Sequence, residues 1–255
     1  MSWNPDLYLS FGDHRLRPAL DLMARIPLAA PRRIVDLGCG PGNVTRFLAE
    51  RWPEAAVTGI DNAPEMLARA RKDYPALAWA EGDIAAWRAE PPVDLLFTNA
   101  ALQWLDDHAA LYPRLLSQVA PGGVMAVQVP RNDESPSHVA IRETVAEGPW
   151  RARLAPLVRS ERVGTPAFYH RLLAPRTRSL DIWDIDYLQV LSGEDPVVEW
   201  TKATALRPFL NALQEPERSA FLAAYRARIA RLYPPEADGR TLFPFRRLFL
   251  VAEAA

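Results

Sequence analysis

Ile34-Val35-Asp36-Leu37-Gly38-Cys39-Gly40-Pro41-Gly42 is the stretch that decides how this chain folds. A short apolar run ends in three glycines and a proline, and a helix-length segment follows. Glycine lets a turn tighten and lets a ligand approach the backbone with no Cβ in the way. One glycine-rich turn is shared by nucleotide-binding folds of many kinds, so its surroundings must narrow the reading.

Apolar runs at 33–37, 56–61, 77–80, 93–98 and 124–129 are each separated by helix-length segments. Strands that alternate with helical patterns imply βαβ units and a mostly parallel sheet. Asn62-Ala63-Pro64 and Pro121-Gly122-Gly123 supply turn chemistry between elements. Upstream, 1–13 reads as an extended lead-in, and Leu16, Leu20, Met23 and Ile26 recur at helical spacing over roughly 14–26. After Pro130 the pattern changes. Five prolines and several arginines mark 131–178 as an insertion of short helices over the sheet. An alternating stretch at 180–190 follows, then helical segments near 195–213 and 216–232, then a closing strand at 242–251. Two late strands without βαβ spacing suit an antiparallel addition at the sheet edge. The expectation is one α/β domain over 1–255, with a helical cap from about 131–178 and 195–235.

The 255 residues carry 30 Lys+Arg against 31 Asp+Glu. That balance argues against nucleic-acid binding driven by bulk charge, though not against a local cationic pocket. A lone Cys39 permits no intrachain disulfide. Met1-Ser2-Trp3-Asn4-Pro5-Asp6 lacks the basic and apolar regions of a secretory leader, and no apolar run reaches membrane length. The expectation is a soluble, cytoplasmic chain with no membrane partner; its oligomeric state is left open.

Acidic and amide residues stand at the ends of successive strands. Asp61, followed by Asn62, ends the second, where a Rossmann unit places an acid for a ribose diol. Asp83, followed by Ile84, is placed to accept from an adenine amino group. Asn99-Ala100 ends the fourth strand. Ligands of open α/β sheets bind outside these carboxyl ends. Each acid taken alone reads equally as a helix cap. A nicotinamide dinucleotide fits less well, because its fingerprint wants Gly or Ala where Asn43 stands.

Asp36–Gly42, Gly59–Leu67 and Glu81–Ile84 resemble the successive motifs of class I S-adenosylmethionine-dependent methyltransferases. Trp3–Leu9, Arg15–Ala19, Asn99–Leu105, Thr201–Pro208 and Pro244–Val251 narrow the likeness to the trans-aconitate methyltransferase family, over nearly the whole chain except 145–165. The resemblance implies a Rossmann-like, mostly parallel sheet of about seven strands with an antiparallel edge strand and helical cap insertions. It implies S-adenosyl-L-methionine as cofactor, with S-adenosyl-L-homocysteine as product, and a small polycarboxylate methylated to its monomethyl ester. The implied cofactor residues are Arg17, Asp36, Gly38, Gly40, Gly42, Asp61, Asn62, Met66, Asp83, Ile84, Asn99 and Ala100, with Asp36 near the methionine ammonium.

Such a reaction asks little acid–base help. A carboxylate with a reference pKa near ~4 is already ionised, so no catalytic base is expected. Near-attack alignment is worth roughly 7–11 kcal/mol. No metal is expected either, since His14, His108, His138 and His170 share no ligand spacing. The acid's other carboxylates call for arginine. Arg207 and Arg247 are the substrate candidates, and Arg171 beside Tyr169 and His170 forms a third group; any one of them also reads as a solvated charge. Trp3 and Tyr8 are expected as a lid, with Gln103 and Trp104 walling the methyl-transfer site and Tyr169 among the substrate contacts. Each of these also reads as ordinary packing. Cys39 between glycines asks only for a small side chain. Two other functions stay open: a class I enzyme with another acceptor, such as a malonyl carrier-protein carboxyl methyltransferase, and a cofactor-binding protein without catalysis.

Overall fold

A computed structural model describes residues 12–158 and 163–255, with side chains from residue 16 onward. A seven-stranded sheet organises it: β1 (Arg33–Leu37), β2 (Ala56–Asp61), β3 (Ala78–Glu81), β4 (Val93–Asn99), β5 (Val119–Pro130), β6 (Thr177–Leu191) and β7 (Thr241–Ala254). Their order is β3-β2-β1-β4-β5-β7-β6. The first five pair in parallel, and β7 runs antiparallel to β5. The order reverses between β1 and β4. That switch point opens a crevice at the carboxyl ends, and it lies directly after the glycine loop.

Side chains alternate between the two faces of a sheet. One face carries Val35, Leu37, Ile60, Leu96, Met125, Val127, Val129, Leu248 and Leu250, all buried in one core cluster. Helices α4 (His108–Leu116) and α7 (Pro166–Leu173) cover it through Leu111, Tyr112, Leu115, Tyr169 and Leu173. The opposite face carries Ile34, Asp36, Leu95, Phe97, Asn99, Gln128, Phe249 and Arg247, as the strand registers require. Helix α1 (Gly12–Ala24) packs against β5 and buries Ala19, Leu22 and Met23. Between β1 and β3 lie α2 (Thr45–Arg51) and α3 (Pro64–Asp73). Pro64 is the first residue of α3, where its missing N–H costs nothing.

The chain divides into two compact units. The described part of the first comprises 12–131, 163–185 and 247–255, and that of the second 132–158 and 186–246. In the second, α5 (Pro136–Glu147), α6 (Arg151–Leu154), α8 (Pro196–Lys202), α9 (Arg207–Asn211) and α10 (Glu217–Leu232) bury an aromatic cluster. Trp150 meets Phe221 edge-on at 5.2 Å, and its indole N–H donates to the Thr144 carbonyl at 2.8 Å. Among the described residues, no helix is long and apolar enough to cross a membrane.

Two local readings of the sequence need correction. Pro121-Gly122-Gly123 is no turn between elements but a bulge inside β5: pairing runs from Val93↔Val119 directly to Leu95↔Val124. The helical reading of 195–213 breaks into α8 and α9 at a turn over 203–206, which carries no Gly or Pro to announce it.

Candidate functional site

The glycine loop turns its own N–H groups inward. Gly38 and Cys39 both donate to the Ile60 carbonyl, at 2.7 and 3.0 Å. Gly40 donates to Asp61 Oδ2 at 2.8 Å, Gly42 donates to the Cys39 carbonyl at 3.2 Å, and Pro41 has no N–H. A phosphate cradle needs such groups aimed at the ligand. Here they lock β1 to β2 instead, so the loop serves by its shape.

Gly38 adopts φ +82°, and a Cβ there would sit 2.3 Å from that of Ala101. Close approach of the loop to the end of β4 therefore demands glycine. At Gly40, φ is +55°, yet an added Cβ would meet nothing within 4 Å. That is open space at the mouth of the crevice. Gly42 and Gly59 instead make room for the Trp79 ring, at 2.4 Å each. Nothing in the sequence singles out Trp79; its partners are glycines, which give no periodic signal.

Two carboxyl groups line the crevice. Asp36 is only 2% exposed, and its Oδ2 accepts from the Thr45 hydroxyl at 2.6 Å. Burial, with Asp61 close by, pushes the Asp36 carboxyl up to about 7 against the Thr45 bond. The Asp61 oxygens accept the N–H groups of Gly40 and Ala63, at 2.8 and 2.9 Å. A carboxylate offers about four acceptor positions, so these two bonds leave capacity for a ligand. Burial also pushes the Cys39 thiol far up, with Asp36 and Asp61 adding to it, so it is no nucleophile at neutral pH.

Past β3, Asp83 is exposed and caps its own turn through the Ala85 N–H at 2.9 Å. Arg114 holds this loop from α4, donating to the carbonyls of Ile84 and Trp87 at 2.7 and 2.8 Å. After β4, Ala100 sits at φ +56°, a conformation costly for a residue with a Cβ. Its N–H donates to the Gln128 carbonyl at 2.9 Å, and its carbonyl accepts from Gln103 Nε2 at 2.7 Å. These bonds fix the corner that turns Asn99 into the crevice. Asn99 Oδ1 is buried with no donor among the described residues.

Other expected residues divide. Met66 is buried on α3, and Asn62 is exposed beside Asp61. Trp104 is 40% exposed on a short turn after β4. Arg17 lies on the exposed side of α1 with Asp21 at 3.8 Å. Arg171 and His170 are exposed. Tyr169, expected among the substrate contacts, is placed in the core cluster. It is fully buried, its hydroxyl bonds His108 Nδ1 at 2.6 Å and accepts the Gly164 N–H at 3.2 Å, and its ring lies 4.6 Å from Tyr112. Arg207 opens α9 in the second unit and is half-buried. Arg247, in the first unit, is 3% exposed and donates to Gln128 Oε1 at 3.2 Å. Trp3 and Tyr8 lie outside the described residues. Sequence reasoning misses Gln128 and Thr45: the one is a lone polar residue inside an apolar strand, the other lies nine positions beyond its partner.

On one sheet face, four adjacent strands thus carry a carboxyl (Asp36, β1), two amides (Asn99, β4; Gln128, β5) and a guanidinium (Arg247, β7). With strands about 4.8 Å apart, a ligand lying across them meets an anion at one end and a cation at the other. A buried acid with a half-buried one beside it, an orphaned amide oxygen and an open glycine suit a cofactor with cationic and hydroxyl groups. They do not suit a pyrophosphate.

Comparison with known proteins agrees. Residues 34–123 match the family model for a methyltransferase domain. A trans-aconitate 2-methyltransferase of an Azoarcus species is 51% identical, covering 98% of both chains. That of Methylobacterium nodulans is also 51% identical, over 98% of this chain and 97% of its own. Among solved structures, a Haemonchus contortus phosphoethanolamine N-methyltransferase in complex with S-adenosylhomocysteine superposes with TM-score 0.56 at 16% identity, covering 94% of this chain and 53% of its own. Coclaurine N-methyltransferase gives 0.54 at 11%, covering 94% and 72%. At such identities these structures establish the fold alone.

Proposed function

The chain belongs to the trans-aconitate 2-methyltransferase family, and on that premise we propose that it methylates one carboxylate of trans-aconitate or a similar small polycarboxylate, giving a monomethyl ester. S-Adenosylmethionine supplies the methyl group, on a sulfonium that makes it a good electrophile. The residues present fit that cofactor. Asp61 keeps acceptor capacity for the ribose hydroxyls, and Asp83 for the adenine amino group. Asp36 offers a buried carboxyl to the ammonium. Asn99 Oδ1 offers an acceptor that no group of the described residues has taken, and Gly40 leaves the backbone open.

The observation that carries the acceptor is Arg247, a guanidinium 3% exposed on the same sheet face as Asp36 and Asn99. The planar fork of a guanidinium matches a carboxylate in two places. Arg247 holds a carboxylate that does not react and so orients the one that does. The reacting carboxylate is already ionised near neutral pH, so the chain supplies alignment and a dry wall rather than a base. Both units act as one methyltransferase domain on a free acid, without nucleic acid or membrane.

An acceptor screen with labelled cofactor, over small di- and tricarboxylates and a malonyl carrier protein, tests this reading. The expected result is a monomethyl ester of trans-aconitate or a close tricarboxylate, identified by mass. Turnover of the carrier protein but of no free acid would transfer the chain to the other acceptor class.

A further inference from the structure

Gln128 is fully buried in the apolar run Val124–Val129, on the face that also carries Asn99 and Arg247. Its orientation is set. Arg247 is a pure donor, so the Gln128 oxygen turns to it, at 3.2 Å, and the amide nitrogen turns away. Among the described residues that nitrogen has no acceptor. Met or Leu would fill the same volume without stranding two N–H groups. Buried donors are nearly always satisfied, so a partner beyond the described residues is called for, and a bound ligand is one. In register beside it on β4 stands Asn99, where the cofactor side of the crevice begins.

We infer that Gln128 is a specificity-determining residue: its Nε2, aimed by Arg247, donates to a non-reacting carboxylate of the bound acid. The inference rests on the polycarboxylate reading above. A neutral amide suits the place next to the reaction. It fixes an oxygen in direction without adding a second positive charge that would draw the reacting carboxylate away from the methyl group. Arg247 then supplies the charge and Gln128 the direction, and together they select acids whose carboxylates are spaced to meet both.

Gln128→Met removes the donor at nearly constant volume. Gln128→Leu removes the same donor with a different apolar shape, and it decides the question if the Met variant fails to fold. Each is assayed with the tricarboxylate and with dicarboxylate analogues that each lack one carboxylate, alongside calorimetric titration of S-adenosylhomocysteine. A hydrogen bond to a charged acceptor predicts KM for the tricarboxylate raised roughly tenfold or more. For the one analogue lacking the contacted group, wild type and variants should have equal KM, and cofactor affinity should hold throughout. A merely structural role would slow every acid alike. Uniform loss, or no loss, overturns the inference while leaving the polycarboxylate reading intact. A wild-type enzyme that methylates no polycarboxylate overturns both.

Discussion

Three glycines of one loop do different physical work, and the difference can be tested residue by residue. Gly38→Ala drives a Cβ to within 2.3 Å of the Ala101 side chain, in a left-handed backbone. The turn after β4 must then move, so the variant should lose stability and activity together. Gly40→Ala shares the left-handed backbone and its cost of about 1–2 kcal/mol, but its Cβ enters empty space. It should therefore stay folded by circular dichroism yet, with the cofactor passing there as proposed, bind S-adenosylhomocysteine several-fold more weakly. Unchanged affinity in a folded Gly40→Ala protein would move the cofactor away from the loop. Both glycines stand in one legible motif. Their separate roles are not legible there, because they depend on Ala101, which approaches from across the sheet.

The alternation of strand and helix is readable because side chains repeat with period 2 in strands and about 3.6 in helices. Turns that carry no Gly or Pro escape, as at 203–206, and so does the bulge that folds Pro121–Gly123 into β5. Asp36, Asp61, Asp83 and Asn99 can be placed because strand ends define the crevice whatever the packing around them. Gln128 and Arg247 can be joined only once β5 and β7 are in register. Tyr169 shows the opposite limit. A tyrosine on an amphipathic helix reads the same whether it faces a ligand or a core. Its hydroxyl links α7 to α4: His108 Nε2 faces the Leu102 carbonyl at 2.9 Å and so carries the proton, leaving Nδ1 to accept from Tyr169. Tyr169→Phe strands His108 Nδ1 and the Gly164 N–H, which should cost about 1–3 kcal/mol. Denaturant titration should show that loss with KM for the acid unchanged. A raised KM at full stability would return Tyr169 to the substrate contacts.

For the whole molecule, the proposed ammonium contact couples folding to the ligand through Asp36. Its carboxyl sits at about 7 in the fold but near ~4 when exposed. A raised acid contributes stability that is fully present below about pH 4 and fades as pH rises through 7. The ligand-free chain should therefore melt lower at pH 7.5 than at pH 5.5 through this one group. Cofactor binding has the opposite sign. An ammonium beside Asp36 favours the carboxylate, so binding releases a proton and affinity rises with pH until the group is ionised. Below pH 7 that amounts to at most about tenfold per pH unit. Above the α-amino range of about 7.7–8.0 the ligand loses its own charge, so the comparison belongs between pH 5.5 and 7. At a hundredfold excess over Kd, S-adenosylhomocysteine should add about 2.7 kcal/mol, or roughly 5–10 °C in Tm for a chain of this size. A tenfold weaker Kd at the lower pH removes about half of that increment. Asp36→Asn still accepts the Thr45 hydroxyl but cannot titrate. The variant should melt at or above wild type at pH 7 without ligand, gain less from S-adenosylhomocysteine, and show the same gain at both pH values. Scanning calorimetry of both proteins, with and without ligand, measures all four quantities. An increment in wild type that does not change with pH would separate Asp36 from the ammonium and leave its burial a matter of the fold alone.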